Sequence, residues 1–329
     1  MKNRNCLAAL AAALLISGGT AAQADELIRT QVSAPGSTMF VISTHLASVL
    51  NERHGYTVEV ATGFPGVRSQ VNIAMGEADM GIYAPPLASF LQNGVAMYSG
   101  LENHAELADK LRVLSSYSGD MFTLGTYDSS IQTVADLEGK RVFLGPQGAA
   151  LVRINASLIE AATGLVAGDD YELVHVDWAG SAALLQDGSV DVLFQLCATG
   201  CATWTELATA REVTFIGYTP EMIETEEFQS QLNKPGRLIR EIAPGTWGDN
   251  QTNDAPVMVV SEFTGLVVSE EMSDDVAYNI TAALWETLPD LHAVAPFTQE
   301  YEIQTATFGA IYGMHPGAMK YLSENGVEE

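Results

Sequence analysis

Between residues 27 and 83 the chain states one pattern twice: an extended apolar segment, a loop of small and hydroxyl residues, then an amphipathic helix. The first copy predicts a strand over 27–32, the loop Ala34-Pro35-Gly36-Ser37-Thr38 and a helix over 39–53. The second predicts a strand over 57–61, the loop Thr62-Gly63-Phe64-Pro65-Gly66 and a helix over 67–75. In each copy the loop stands where a strand ends and a helix begins. Free backbone N–H groups and the positive end of a helix dipole therefore gather at one sheet edge, a setting for a small anion. A third such junction follows, with a strand over 141–144, the loop Gly145-Pro146-Gln147-Gly148-Ala149-Ala150 and a helix over 151–163. Alternation of this kind is an α/β signature, with mainly parallel sheets flanked by helices and ligands beyond the carboxyl ends of the strands.

The rest of the chain is read around that pattern. Its 329 residues, 47% of them apolar, suffice for two cores. Lys2 and Arg4 precede an apolar run over 6–16, and Ala22-Gln23-Ala24 has the small-x-small form of a cleavage site. Residues 1–24 are thus expected to be a cleaved signal peptide and the mature protein to be periplasmic. A run of about eleven apolar residues falls short of the roughly 20 that span a bilayer, so no direct membrane insertion is expected. Removing Lys2 and Arg4 leaves thirteen basic residues against 41 acidic ones, a net charge of −28. Such a field repels nucleic acid and anionic lipid. An anionic ligand must then be held by local N–H groups and one or two cations. Cys197 and Cys201, close together in an oxidising compartment, are candidates for a disulfide with Gly200 supplying the turn. Free thiols, or a redox or metal role, are the alternatives, though C-x-x-x-C is not the redox spacing and no histidine lies near.

Further along, strands are expected at 80–83, 111–116, 122–127, 172–176, 190–195, 212–217, 257–261 and 264–268. Helices are expected at 87–91, 181–186, 221–233 and 273–285, the last capped by Ser273, and 98–109 reads as a polar connection. Two modules joined by extended crossings imply two lobes around a cleft. Lobe 1 takes residues 25–121 and 265–329, and lobe 2 takes 122–264, with crossings near 122–127 and 256–268.

The order of features resembles the TAXI solute-binding proteins of tripartite ATP-independent periplasmic (TRAP) transporters. Carrying the resemblance are Gly36-Ser37, Ala61-Thr62-Gly63 with Asn72, Gly76-Glu77-Ala78-Asp79, and the run from Asp136 to Val142. Gln186-Asp187-Gly188-Ser189-Val190-Asp191, Ala243-Pro244-Gly245-Thr246-Trp247, the run from Val276 to Thr281, and His315-Pro316-Gly317-Ala318 complete it over essentially the whole mature chain. The resemblance implies a two-lobed, type II periplasmic binding fold that closes on a small organic acid. It also implies delivery of that acid to TRAP permease subunits without ATP, by a monomer with no cofactor. The chain departs from the family's wording at Thr38-Met39-Phe40-Val41, at Ala84-Pro85-Pro86 and at Gly148-Ala149-Ala150-Leu151, all at the expected pocket.

Candidate ligand-binding residues follow from the junctions. Ser37, Thr38 and Thr62 supply hydroxyl donors, Gln147 and Gln195 amides from the other lobe, and Arg68 and Arg153 guanidinium groups in the first turns of their helices. Phe64, Tyr83 and Trp178 are candidate pocket walls, and Met39, Val67, Ala149, Ala150 and Thr199 line the same loops. Each has a plainer reading as a solvent-facing or core residue. The six histidines are dispersed, and no G-x-S-x-G, P-loop or complete G-x-G-x-x-G is present, so an enzyme is not expected. A binding protein of an ATP-driven importer, or a ligand sensor, shares the fold and is the closer alternative; an exported hydrolase or isomerase is the remote one.

Overall fold

A computed structural model describes residues 26–33, 35 and 37–328. The expected signal peptide, and Ala34 and Gly36 of the first loop, lie outside the described residues. The strands are β1 Leu27–Gln31, β2 Thr57–Ala61, β3 Met80–Tyr83, β4 Leu111–Tyr117, β5 Met121–Thr126, β6 Arg141–Phe143 and β7 Glu172–Leu173. They continue with β8 Val192–Cys197, β9 Thr214–Ile216, β10 Arg237–Ile242, β11 Val257–Glu262 and β12 Thr264–Ser269. The helices are α1 Thr38–His54, α2 Gly66–Ala74, α3 Pro85–Asn93, α4 His104–Asp109, α5 Ala150–Thr163 and α6 Ser181–Gln186. Then come α7 Ala202–Ala210, α8 Pro220–Ile223, α9 Glu226–Leu232, α10 Asp274–Glu286, α11 Leu288–Val294 and α12 Pro316–Glu324.

Two sheets organise these elements. One has five strands in the order β2-β1-β3-β12-β4; the other has seven, β10-β11-β5-β8-β6-β7 with β9 beside β5. Both are mixed, not mainly parallel. Pairing is parallel among β1, β2 and β3 and among β6, β7 and β8, where helices intervene, and antiparallel elsewhere. The reason is that β5 and β12 arrive directly from the other sheet, and a strand not delivered by a helical crossover is free to run antiparallel. The chain passes to the second sheet at 118–120 and returns at Phe263. These crossings lie so close that a Cβ on Gly119 would stand 1.8 Å from the Glu262 carbonyl oxygen, so only glycine fits.

Each half carries the same lock. In β1 the Arg29 amide and guanidinium hold the Asp79 carboxylate, and in β6 the Arg141 amide and guanidinium hold Asp191 at the start of β8. Both pairs are separated by 50 residues. The N-cap of the following helix, Ser37 in one half and Ala149 in the other, comes eight residues after the arginine in both. The halves thus repeat one β-α-β framework, and Ser37 and Ala149 are equivalent positions. In the first half α1 and α10 bury Ile42, Leu46, Leu50, Ile280 and Leu284 completely. In the second, Leu158 and Phe194 close one core cluster and Trp204 and Phe215 another.

Several elements differ from expectation. The stretch 98–109 contains α4, and 221–233 is broken into α8 and α9 because Thr225 caps α9 by accepting the Phe228 amide. The strand expected over 172–176 keeps only two residues. Unforeseen are α7, which begins at the Cys201 end of the joined Cys197–Cys201 pair, β10, α11 and α12.

Candidate functional site

The parallel strands set the helix starts at two sheet edges, and those edges meet. Pro85 of α3 and Ala150 of α5 line one groove, and Thr38 at the start of α1 reaches Asp120 at the crossing, with its hydroxyl 3.4 Å from the carboxylate. The candidate site is therefore the cleft between the halves.

At its floor, Tyr117 and Tyr301 stack with ring centroids 4.4 Å apart. Asp120 keeps a little solvent contact, yet its carboxyl is enclosed by both halves. Burial pushes it up to about 6, against the opposing pull of the Thr38 hydroxyl. Burial raises both tyrosines too, with Asp120 adding to the effect. Beside them a polar chain joins the halves. Thr199 donates to Glu300 at 2.9 Å, Glu300 pairs with Arg240, and Arg240 donates to Ser118 at 3.4 Å.

The second-half wall is an aromatic corner. Trp178, 40% exposed, stands edge-on to Phe143 at 5.6 Å and covers Gly145. Gln195 donates to Ser181 at 2.8 Å, and Ser181 in turn donates to the Trp178 carbonyl. The first-half wall carries Arg68 above the Phe64 ring at 5.6 Å and an exposed Thr62.

Backbone donors differ from helix to helix. In the loop after β2, the Gly63 and Phe64 amides are not free as expected: they donate to the Ser33 and Val32 carbonyls and zip the two loops together. On α1 the Ser37 side chain already takes the Phe40 amide. Pro65 and Ala149, the N-caps of α2 and α5, make no side-chain bond. The first amides of those two helices, Gly66 and Val67 on α2 and Ala150 and Leu151 on α5, have no acceptor among the described residues.

Placement of the other candidates varies. Tyr83 is fully buried, its hydroxyl donating to the Gly309 carbonyl and accepting the Ile311 amide, so it packs the first core and not the cleft. Met39 is likewise buried, against the Tyr117 hydroxyl. Gln147 is exposed on its loop, and the Val67 carbonyl accepts from Tyr98. Arg153 lines the groove beside α3, away from the floor. Cys197 and Cys201 are disulfide-bonded and hold the loop that presents Thr199. Asp120, Arg240 and Glu300 were not foreseen; three residues from three distant segments meet only in space, with no local pattern to mark them. Among the described residues, no cluster of His, Cys, Asp or Glu is arranged to hold a metal ion, and no helix is long and apolar enough to cross a membrane.

The NMT1-like family matches residues 32–326. A solved structure described as a periplasmic transporter is 14% identical, with a TM-score of 0.53 over 92% of this chain and 93% of that one. The periplasmic aliphatic sulphonate binding protein SsuA from Escherichia coli is 15% identical, with a TM-score of 0.50 over 91% of this chain and 78% of its own. At such identities the likeness is one of fold: two mixed sheets flanked by helices, as in periplasmic binding proteins.

Proposed function

The chain belongs to the NMT1-like family, and from that premise we propose that it is a periplasmic solute-binding protein that captures a small organic anion in the cleft and delivers it to a membrane permease. The observation that carries the anion is the pair of helices, α2 and α5, whose N-caps lack a side-chain acceptor and whose leading amides are left for a ligand. Trp178, Thr62 and the Phe64–Arg68 pair supply the walls. Closure turns about the crossings at 118–120 and Phe263, and the contact of Thr199 and Arg240 with Glu300 holds the halves together. In this reading residues 1–24 direct export, and the lobes are 25–121 with 265–329 against 122–264.

The resemblance to TAXI proteins favours a TRAP permease, driven without ATP, as the partner. Its carboxylates and the sulphonates for which SsuA is named present the same charged oxygens to N–H donors, so both belong in the test. A thermal-shift panel of organic carboxylates, sulfonates and neutral sugars, run with and without chelator, is expected to give stabilisation by anions alone. Stabilisation only by sugars or by metal ions refutes the anion reading.

A further inference from the structure

The cleft includes a groove of about 660 Å³ between α3 of one half and α5, α9 and β10 of the other. Its size falls within the roughly 300–1,000 Å³ of sites that enclose drug-sized ligands, far more than an acid of two to four carbons fills. The walls are apolar, with Pro85, Pro86 and Phe90 facing Ile154 and Pro235.

The charge of the lining is opposite to that of the molecule. The chain has 41 acidic residues against 15 basic ones, yet Arg153, Lys234 and Arg237 all line the groove and no acidic residue does. Arg237 is neutralised by Glu262 at 2.9 Å, with both side chains largely buried. Lys234 has only the neutral Gln231 side-chain oxygen, at 2.6 Å, and Arg153 has no ion pair among the described residues. Lys234 keeps an exposed surface, and partial burial, then the neighbouring Arg237, push it down.

The rim adds an independent sign. Ala96 is the one non-glycine with positive φ among the described residues, at 57°, and it lines both this groove and the adjoining depression at Gly148 and Ala149. Its strained backbone is flanked by Val95 and Met97, large apolar side chains left 45% and 39% exposed. A strained turn that keeps apolar groups in solvent at the mouth of a groove is accounted for if something apolar covers them.

We infer that the solute is an organic anion with a bulky apolar body, its charge held at the start of α5 by the leading amides with Arg153 and Lys234, and its body laid against Pro85, Phe90 and Pro235. The inference rests on the solute-binding reading above and names the class of solute.

Calorimetric titration of the purified protein with 2-naphthalenesulfonate, methanesulfonate and neutral 2-naphthol tests it. Expected are single-site binding of 2-naphthalenesulfonate, about tenfold or more tighter than methanesulfonate, and no binding of 2-naphthol. Arg153→Gln and Lys234→Gln should each weaken 2-naphthalenesulfonate about fivefold or more while leaving the melting temperature of the empty protein unchanged. Methanesulfonate binding as tightly as the aromatic anion overturns the groove and leaves the cleft reading standing. Unchanged affinity in both variants, or equal binding of 2-naphthol, also overturns it. Binding of neither sulfonate overturns the groove, and with no anion active in the thermal-shift panel it overturns both readings.

Discussion

Asp120 shows how one residue ties stability to the cleft. Its carboxyl is raised from the ordinary 3.8 to about 6 because the enclosing halves strip it of water. Between those two values the folded protein holds a proton that the unfolded chain has released. Folding is therefore favoured at low pH, and stability falls as pH rises from about 4 to about 6. The shift corresponds to a loss on the order of 2 kcal/mol once the residual solvent contact is allowed for. Urea denaturation across this range should show the decline in the native protein and a flatter profile in Asp120→Asn; equal slopes would remove Asp120 as its source. Nothing near Asp120 in sequence marks it out. It is one more polar residue after Ser118-Gly119, and only the meeting of two crossings with the start of α1 gives it this environment.

At the scale of elements, the Ser37 and Ala149 equivalence invites an exchange. Ala149→Ser gives α5 the side-chain acceptor that α1 already has, which should stabilise the empty protein by about 1 kcal/mol. An N-cap hydroxyl accepts from the second or third helical amide, here Leu151 or Val152, and by taking Leu151 it competes for a donor otherwise left to the solute, so affinity should fall while melting temperature rises. A thermal melt and a titration with the best anion of the panel read the two effects, and a gain in both would take the α5 amides out of the site. Legibility followed local chemistry. The Ser273 cap and the four-residue spacing of Val276, Ile280 and Leu284 made α10 readable almost to the residue. In β10, Arg237-Leu238-Ile239-Arg240-Glu241-Ile242, the residues before Ile242 remain partly or fully exposed, so the alternation that signals a half-buried strand is diluted by charge. The threonine-rich α7 lacks a clear apolar face in sequence for a similar reason, although Trp204 and Leu207 anchor it. The loop after β2 misled because its two central amides bond to a neighbouring loop, a tertiary event that no local pattern records.

For the whole molecule, charge and topology carry the consequences. A formal charge of −26 opposes the approach of any anion, while the groove and the α2 and α5 amides attract it only at short range. Screening weakens the distant repulsion first. The association rate of an anionic solute should accordingly rise, by about twofold, as salt goes from about 20 to about 200 mM, the reverse of ordinary electrostatic steering. Stopped-flow measurement with 2-naphthalenesulfonate checks it, and a rate that falls with salt would mean that local cations dominate the long-range field as well. The interleaving of the halves has another outcome. Strand β12 sits inside the five-stranded sheet, between β3 and the edge strand β4, yet it is made after every strand of the seven-stranded one. A chain emerging from its N-terminus can thus complete the inserted half while the outer half still waits for the strand that joins β3 to β4 and for α10 and α12. Maturation has a built-in order: the middle of the polypeptide is finished first, and the ends close around it.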